Sequence, residues 1–404
     1  MEGALSGIRV VEFAVFAAGP VVGKHMANYG AEVIRVESHL SPDGFRTHYP
    51  PFAGGRPGLD RSGCFAVFND GKLSVTLNLK APEGVELAKR LVARADVVIE
   101  NFTPGTIDRL GLGYEVLRTV RPDLIMLSSC NMGATGPYAR HPGFGSMLSS
   151  LGGFTYLTGY PGETPLLNYG PYIDFIGAGY GLIAVLAALD YRRRTGQGQH
   201  IDLSQYESGL QFMASVLLDY TANGHLAERC GNRSEYAAPQ GAFPCRGEDA
   251  WCTISVTSDA EWVALRRAMG DPPWAADPRF DTLLGRKAHE DELEARLAEW
   301  TRERTPQEVM ETLQAAGVPA AVVNTMADLY SDPQLTHRGF WWPLPHPELG
   351  VFCYESSGFV LSDTPAQPAR PSPCLGEHNR YVFCELLGLS EAEYTALLER
   401  KVIY

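Results

Sequence analysis

The chain has 404 residues, of which 45% are apolar and 20% are charged. This composition excludes a disordered or fibrous protein, and the length predicts two or three domains with cores that need no disulfide support. The chain carries 34 Lys and Arg against 47 Asp and Glu, so its formal net charge is −13. That balance argues against non-specific binding of DNA or RNA, although a few basic side chains can still form a local site for an anionic small molecule.

The eight cysteines are scattered, and none belongs to a Cys-x-x-Cys pair or to a Cys/His cluster with zinc spacing. We therefore expect buried, reduced thiols and no metal site. The N-terminal segment lacks the pattern of a secretory signal. The longest apolar run, residues 175–189, is shorter than the roughly 20 residues that a membrane span needs, so it predicts a buried helix. A cytoplasmic protein that does not bind membranes is expected.

The first 130 residues alternate between strand-like and helical patterns. Repeated β-α-β units predict an α/β fold with a parallel, Rossmann-like sheet, and ligands are expected at the carboxyl ends of its strands. The strand patterns cover residues 8–14, 31–38, 74–79, 96–101 and 123–130, and the helical patterns cover 19–30, 82–95 and about 106–120.

The alternation is interrupted at residues 131–173, which are rich in Gly, Pro and Tyr. So long a connection without helix or strand patterns is typical of a functional segment. A helix is predicted over 175–193, ending at the TGQGQ sequence, and a strand and a helix are predicted within 201–223.

The composition changes after Asn223, and residues 225–325 predict a smaller α+β domain. Its strands are expected at 251–256 and 318–324, with a polar loop over 224–250. Its helices are expected at 259–269 and 287–316, the second broken near Pro306.

The AAGP sequence at residues 17–20 lies where a dinucleotide-binding enzyme would carry GxGxxG. Gly19 suits a tight turn and Pro20 the first turn of a helix. Two interpretations remain open: an ordinary turn, or a Rossmann-like unit that binds a ligand other than NAD.

Asp174 lies at the start of the apolar, glycine-containing helix. One interpretation is an N-cap, since Asp is favoured there. The other is a carboxylate in a dry cleft that acts as a nucleophile on an activated acyl carbon.

Two basic residues border the predicted sheet, Lys72 in the turn before a strand and Arg109 after the 96–101 strand. They could neutralise a phosphorylated ligand, or they could be solvated surface charges. His25, His48 and His141 lack partners at catalytic spacing and are expected to be satisfied or exposed.

Taken together, segments along nearly the whole chain resemble the family III coenzyme A transferases, a group that also contains the α-methylacyl-CoA racemases. The Asn-Phe-x-Pro-Gly segment at 101–105 is especially specific. The matching segments are LSGIRVVEFAVFAAGP, GAEVIRVE, FNDGKLSVTLNL, ADVVIENFTPGTIDRLGLGYEVL, RPDLIMLSSC, RRRTGQGQHIDLSQYES, GVPAAVVNTMADLYSDPQL and LGEHN at 375–379.

The resemblance implies a large Rossmann-like domain built from residues 1–224 and 326–404, a small domain from 225–325, and a dimer of interlocked ring-like subunits. It makes acyl-CoA a substrate, with no permanently bound cofactor, and a small carboxylic acid its acceptor. Asp174 occupies the position of the family's covalent nucleophile. The implied CoA contacts are Lys72, Arg109, Ala17 and Asn101, and the implied acyl pocket contains Phe144 and Tyr172.

Departures from the family narrow the expected activity. The racemases carry a histidine where Phe144 lies here, so racemisation becomes the alternative activity. The formyl-CoA:oxalate transferases carry a glutamine where this chain has Ala17, and a run of glycines that residues 231–245 do not contain. These differences argue against formate and oxalate as substrates. The YPGETPLLNYGPYIDF segment resembles the branch that transfers CoA from succinyl-CoA to benzylsuccinate-type acids. Some members of that branch pair two homologous subunits, so a heteromer, or a non-catalytic CoA-binding subunit, is a further alternative.

Overall fold

The computed structural model describes residues 2–368 and 370–404, and its contacts divide the chain into two compact units. The first unit consists of Met1–Phe154, Leu167–His225 and Pro333–Tyr404, and the second of Thr155–Leu166 and Leu226–Asp332. Residues 155–166 and 326–332, which the sequence analysis assigned to the larger domain, thus group with the second unit. Residues 155–166 are tied to the second unit by the backbone, since Gly231 N donates a hydrogen bond to Gly159 O at 2.9 Å.

The strands in chain order are β1 (Arg9–Phe13), β2 (Glu32–Glu37), β3 (Leu73–Thr76), β4 (Val97–Glu100), β5 (Ile125–Cys130), β6 (His200–Ser204), β7 (Gln240–Pro244), β8 (Trp251–Ser255), β9 (Ala320–Val322), β10 (Trp341–His346) and β11 (Gly350–Glu355). The α-helices are α1 (Ala18–Asn28), α2 (Gly44–Thr47), α3 (Gly63–Ala66), α4 (Pro82–Val92), α5 (Thr106–Arg109), α6 (Tyr114–Val120), α7 (Gly145–Leu151), α8 (Phe154–Leu157), α9 (Tyr172–Thr195), α10 (Gln205–Leu210), α11 (Ala214–Asn223), α12 (Asp259–Ala268), α13 (Leu283–Ala288), α14 (Glu290–Arg302), α15 (Pro306–Ala315), α16 (Met326–Ser331), α17 (Pro333–His337) and α18 (Glu391–Glu399).

The first unit is built on a parallel sheet of six strands in the order β3-β2-β1-β4-β5-β6. This confirms the parallel sheet that the alternating pattern predicted. The strand order reverses between β1 and β4, because the chain extends from β1 towards β3 on one side and from β4 towards β6 on the other. Ligands of such sheets bind outside the carboxyl ends of the strands at that reversal.

Apolar side chains cover both faces of this sheet. Val11 packs into a core with α4, α6 and the C-terminal helices, whereas its neighbour Val10 packs into a second core with α1 and α9. Successive residues of a strand point to opposite faces, so a continuous β-branched run supplies both cores. The sheet is therefore a rigid platform for the loops at its carboxyl ends.

The C-terminal residues close the edge of the sheet at β3. His378 N donates to Ser74 O at 2.9 Å, and Thr76 N donates to Asn379 Oδ1 at 2.8 Å. An edge strand leaves a row of backbone groups unpaired unless other residues cover it. These contacts therefore tie the LGEHN segment to the N-terminal part of the first unit.

Three segments differ from their sequence predictions. The helix predicted over 106–120 is two helices, α5 and α6, because Gly111 between them adopts a φ of +74°. The 131–173 connection contains α7 and α8, and strand β7 lies within the predicted 224–250 loop. Helix α7 packs on α9 and α10, and β7 pairs with β8; a local sequence pattern does not record such tertiary contacts.

Helix α9 is longer than predicted, with 24 residues from Tyr172 to Thr195. By length and composition alone it could cross a membrane, a test that the core helix of a soluble protein also passes, and 33% of its apolar window is buried. The prediction of a short, buried helix is therefore corrected. One face of α9 packs on α1, α7 and α10, while Phe175, Ile183 and Leu186 are exposed.

The second unit has a core of its own. Its antiparallel sheet has the order β7-β8-β9, and helices α12, α14 and α15 contribute Trp262, Leu297 and Leu313 to the buried cluster beside it.

Candidate active site

A cavity of about 390 Å³ lies at the carboxyl ends of the first unit's strands. Its wall comes from the residues that follow β1, β4, β5 and β6 and from the first turn of α9, so it lies at the reversal of strand order. The lining residues are Val15–Ala18, Asn101–Pro104, Cys130, Asn131, Ala139, His141–Gly145, Asp174 and Gln205.

Asp174 enters the cavity from the third position of α9. The N-cap of this helix is Pro171, and no side chain caps it, so the interpretation of Asp174 as an N-cap is excluded. Gly145 lies close to the carboxyl group, and a Cβ at this glycine would be 2.6 Å from Asp174 Oδ1. Only glycine allows the backbone to approach the carboxyl this closely.

The Asp174 carboxyl has no hydrogen bond or ion pair with another residue in the described part of the chain. Desolvation by burial raises the pKa of this carboxyl from 3.8 to about 7. Among residues 2–368 and 370–404, neither a cation nor a hydrogen-bond donor offsets that burial. The carboxylate is therefore poorly solvated and free to react.

The loop between β1 and α1 is held in an unusual conformation. Phe16 has a φ of +58°, a region that a non-glycine residue rarely adopts. Asn101 secures the loop through Val15, since its Oδ1 accepts from Val15 N and its Nδ2 donates to Val15 O, both at 2.8 Å. Asp43 accepts from Phe16 N at 3.0 Å. The side-chain amide of Asn101 is thus used to position the cavity wall.

Helix α1 begins at Ala18, immediately after this loop, and no side chain caps it. The tight turn is therefore at Phe16, and Gly19 and Pro20 both lie in the first helical turn, which corrects the turn predicted at Gly19. Gly19 is still required, because a Cβ there would be 2.6 Å from the Ala14 Cβ. Ala18 and Gly19 in the first turn of α1 have N–H groups without intrahelical partners, Pro20 has no N–H, and Ala17 and Ala18 line the cavity.

Lys72 lies in a buried cluster of charges beneath this loop. Its side chain is 0% exposed, and its Nζ donates to Glu12 Oε2 at 2.9 Å, to Pro20 O at 2.8 Å and to Asn69 Oδ1 at 2.9 Å. All three ammonium protons are used, and burial lowers the pKa of Lys72 to about 8. Lys72 is therefore enclosed by protein atoms and does not line the cavity, and its contact with a CoA nucleotide stays a prediction.

Arg109 has a different environment, because it is exposed on α5 and donates to Thr106 Oγ1 at 2.8 Å. A Cβ at Gly105 would be 3.3 Å from Arg109 Nη1. The guanidinium therefore lies beside the loop that contributes Pro104 to the cavity wall, where a phosphate group could reach it.

Of the two aromatic residues predicted to form the acyl pocket, only Phe144 lies in the cavity wall. Phe144 lines the cavity, 60% exposed, with its ring edge-to-face with Phe16 at a centroid distance of 6.2 Å. Tyr172 does not line it and contacts the rings of Phe154 and Phe212 instead. The structure thus brings together Asp174, Ala17, Asn101 and Phe144 in the cavity lining, which does not include Lys72, Arg109 or Tyr172.

Gln205 and His141 are among the lining residues that were not singled out from the sequence as site residues. Gln205 follows β6 directly and is 4% exposed; its Nε2 donates to Ser129 Oγ at 3.4 Å, and its Oε1 has no partner among the described residues. His141 was expected to be satisfied or exposed; it is exposed, but it also lines the cavity. A polar residue directly after a predicted strand was the available signal for Gln205, whereas His141 had none.

The model of CoA-transferase family III matches residues 5–379 of the chain. The chain belongs to CoA-transferase family III. The protein is thus an enzyme of the CoA-transferase class, whose members use CoA thioesters as substrates, and the resemblance read from the motifs is confirmed.

Relatives of this family III enzyme cover its whole length. It is 37% identical to the succinyl-CoA–D-citramalate CoA-transferase of Chloroflexus aurantiacus, over 99% of this chain and 98% of that protein. It is 34% identical to the beta subunit of succinyl-CoA–L-malate CoA-transferase from the same organism, again over 99% and 98%. A crystal structure of a CAIB/BAIF family protein from Brucella suis is similar with a TM-score of 0.88 and 35% identity, over 96% of this chain and 100% of that one.

Proposed function

We propose that this enzyme transfers CoA from succinyl-CoA to a short dicarboxylic acid, and that Asp174 is the covalent nucleophile. The observation that carries the proposal is the unpaired, partly buried carboxyl of Asp174 in a cavity at the reversal of strand order. The relatives support the choice of substrates, since their names specify succinyl-CoA together with D-citramalate or L-malate.

The proposed reaction has two symmetrical halves. The Asp174 carboxylate attacks the succinyl thioester carbonyl; a C–O bond forms, the C–S bond breaks, and CoA leaves as a thiolate. The thiolate then attacks the Asp174 carbonyl of this mixed anhydride, which forms an aspartyl-CoA thioester and releases succinate. The acceptor carboxylate attacks that thioester and expels the thiolate again. The thiolate finally attacks the acceptor's carbonyl, which yields the new acyl-CoA and regenerates Asp174.

The cavity supplies what these steps require. Each attack places negative charge on a carbonyl oxygen, and the unpaired N–H groups at the start of α1 lie at the wall to stabilise it. The loop clamped by Asn101 and Asp43 holds those groups in place before the substrate arrives. Partial burial of Asp174 limits water, which would otherwise hydrolyse the anhydride and the aspartyl thioester.

CoA contacts are proposed for Ala17, for the wall that Asn101 positions, and for Arg109 beside Gly105. Phe144 is proposed to contact the acyl group. An arylsuccinate remains a second class of acceptor to test, because Phe144 and Phe16 offer aromatic surface in the cavity. The racemase alternative is not favoured, since a phenylalanine occupies the position of the racemase histidine.

A dimer is also proposed. Several large apolar side chains of α9 and α11 are exposed in one chain, including Ile183, Leu186, Leu217 and Leu218, and a subunit interface would remove such side chains from water. Light scattering of the purified protein is expected to report a dimer, and Ile183→Asp is expected to shift it towards the monomer. One relative is named a beta subunit, so this chain could also pair with a different, homologous chain. Co-expression of the two chains, followed by co-purification, tests for such a heteromer.

The test of the function is transfer of CoA by the full-length protein from succinyl-CoA to a panel of acids: D-citramalate, L-malate, labelled succinate and benzylsuccinate. A new acyl-CoA, detected by mass spectrometry, is the expected result for at least one short dicarboxylate. Absence of transfer to every acid, with the protein alone or with a homologous partner chain, would contradict the proposal.

The rate of aspartyl-CoA formation is expected to depend on pH. The nucleophile is the ionised carboxyl, and its pKa of about 7 in the free enzyme means that the reactive fraction falls as pH decreases below 7. Between pH 7 and pH 5 we expect kcat/KM for succinyl-CoA to fall by up to about 50-fold, as a single ionisation requires. Rapid-quench measurement of succinate release under single-turnover conditions checks this, because succinate is the product that leaves when aspartyl-CoA forms. A constant rate down to pH 5 would show that the carboxyl ionises with an ordinary pKa.

A further inference from the structure

The cavity around Asp174 carries few charges. Among the lining residues that the structure describes, His141 is the only basic one and Asp174 the only acidic one. The nearest neighbour in sequence with a positive charge, Arg140, is exposed and does not line the cavity, and the ammonium group of Lys72 is enclosed by Glu12, Pro20 and Asn69.

The proposed substrates carry a charge that such a cavity must accommodate. The succinyl group of the donor ends in a carboxylate remote from the thioester, and a dicarboxylic acceptor has the same remote carboxylate. In a ping-pong transfer both acyl groups occupy the same place beside Asp174 in turn. One subsite for the remote carboxylate would therefore serve the donor and the acceptor alike.

His141 lies where such a subsite can form. A second cavity of about 340 Å³ adjoins the first and shares Asn131, His141, Pro142 and Gly143 with it. The acyl chain can thus extend from Asp174 towards His141 along a wall that contains Phe144 and, in the second cavity, Met147.

Asn131 holds the segment that carries His141. Its Nδ2 donates to Gly143 O at 2.9 Å, and its backbone carbonyl accepts from Tyr206 N at 2.9 Å. The ring of His141 also packs on Tyr138 at a centroid distance of 4.7 Å. These contacts anchor the His141 segment to the carboxyl ends of β5 and β6.

We propose that His141 determines specificity for dicarboxylic substrates by donating an N–H to the remote carboxylate of the succinyl donor and then to that of the acceptor. The inference rests on the proposed function and deepens it, because it identifies one residue that selects both substrates. It also predicts that the two half-reactions change together when His141 is replaced.

The test compares two acids that differ only at the remote end, succinate and butyrate, as acceptors from succinyl-CoA. Labelled succinate reports its own exchange into succinyl-CoA. For His141→Ala and His141→Leu we expect KM for succinate to rise about 10- to 100-fold, as the loss of a hydrogen bond to a charged group implies, with KM for butyrate unchanged. The KM for succinyl-CoA as donor is expected to rise as well, while that for butyryl-CoA is not.

The matched control is His337→Ala, which removes an exposed histidine of α17 that does not line the cavity, and Arg140→Ala tests the neighbouring cation. Two results would overturn the inference and leave the transferase proposal standing. One is an equal rise in KM for succinate and for butyrate in the His141 variants. The other is a rise in KM for succinate alone in Arg140→Ala and not in the His141 variants. Failure of the unmodified enzyme to exchange labelled succinate into succinyl-CoA would overturn the proposed use of succinyl-CoA, and this inference with it.

Discussion

Asp174→Ala and Asp174→Asn are each expected to lower kcat for CoA transfer by about 10⁴-fold or more, the usual consequence of removing a covalent nucleophile. The unmodified enzyme incubated with succinyl-CoA should yield an aspartyl-CoA adduct on the peptide containing Asp174. Hydroxylamine should trap that adduct, and mass spectrometry should find none in either variant. Substantial transfer by Asp174→Asn would exclude the covalent mechanism, since an amide cannot take the place of the attacking carboxylate.

The asparagine variant is also expected to be more stable than the unmodified enzyme above pH 7. The folded state raises the pKa of Asp174 to about 7, whereas the unfolded chain ionises this group near its ordinary value of 3.8. Between pH 3.8 and about pH 7 the unfolded chain therefore binds fewer protons than the folded enzyme, so the free energy of unfolding falls as the pH rises through this range. A shift of this size corresponds to at most about 4 kcal/mol, and we expect about 1–2 kcal/mol because water in the cavity screens the charge.

Thermal unfolding at pH 8 and pH 4 measures this stability effect separately from catalysis. The melting temperature of Asp174→Asn should exceed that of the unmodified enzyme at pH 8, and the difference should diminish towards pH 4, where the carboxyl is protonated in the folded enzyme. Equal melting temperatures at pH 8 would mean that the folded protein does not disfavour the ionised carboxyl.

Lys72→Met is expected to reduce the free energy of unfolding by about 3–5 kcal/mol, the usual cost of removing one partner from a buried ion pair. The substitution leaves Glu12 buried with Arg35 as its remaining cation, at 2.8 Å, and also removes the hydrogen bonds to Pro20 O and Asn69 Oδ1. Urea unfolding followed by circular dichroism measures the change. A loss below 1 kcal/mol would show that the cluster contributes little to stability.

Arg109→Ala is the comparison for Lys72→Met, since both Lys72 and Arg109 were predicted from the sequence to contact CoA. Arg109 is exposed, so its removal should change the free energy of unfolding by less than about 0.5 kcal/mol. If Arg109 contacts a phosphate of CoA, the KM for succinyl-CoA should rise about 10-fold, the loss expected of one charged hydrogen bond. An unchanged KM would remove Arg109 from the CoA contacts.

The sequence predicted most of the first unit's architecture and only part of its site. The strand and helix patterns of the first 130 residues are local, so β1 to β5 lie within a few residues of their predicted bounds. The division of the 106–120 helix was missed, because it depends on the backbone conformation of Gly111. Strand β7 was missed because its pairing partner β8 stabilises it, and its own sequence includes Gly and Pro.

Motifs and periodicities in contiguous residues were enough to predict the family, the parallel sheet and Asp174 as the candidate nucleophile. Only the folded arrangement shows that Asp174 has no partner among the described residues, that Lys72 is enclosed by Glu12, Pro20 and Asn69, and that His141 and Gln205 share a cavity with Asp174. The physical reason is that burial and pairing depend on which loops the carboxyl ends of the strands bring together. Those loops are far apart along the chain, and no local pattern records their meeting.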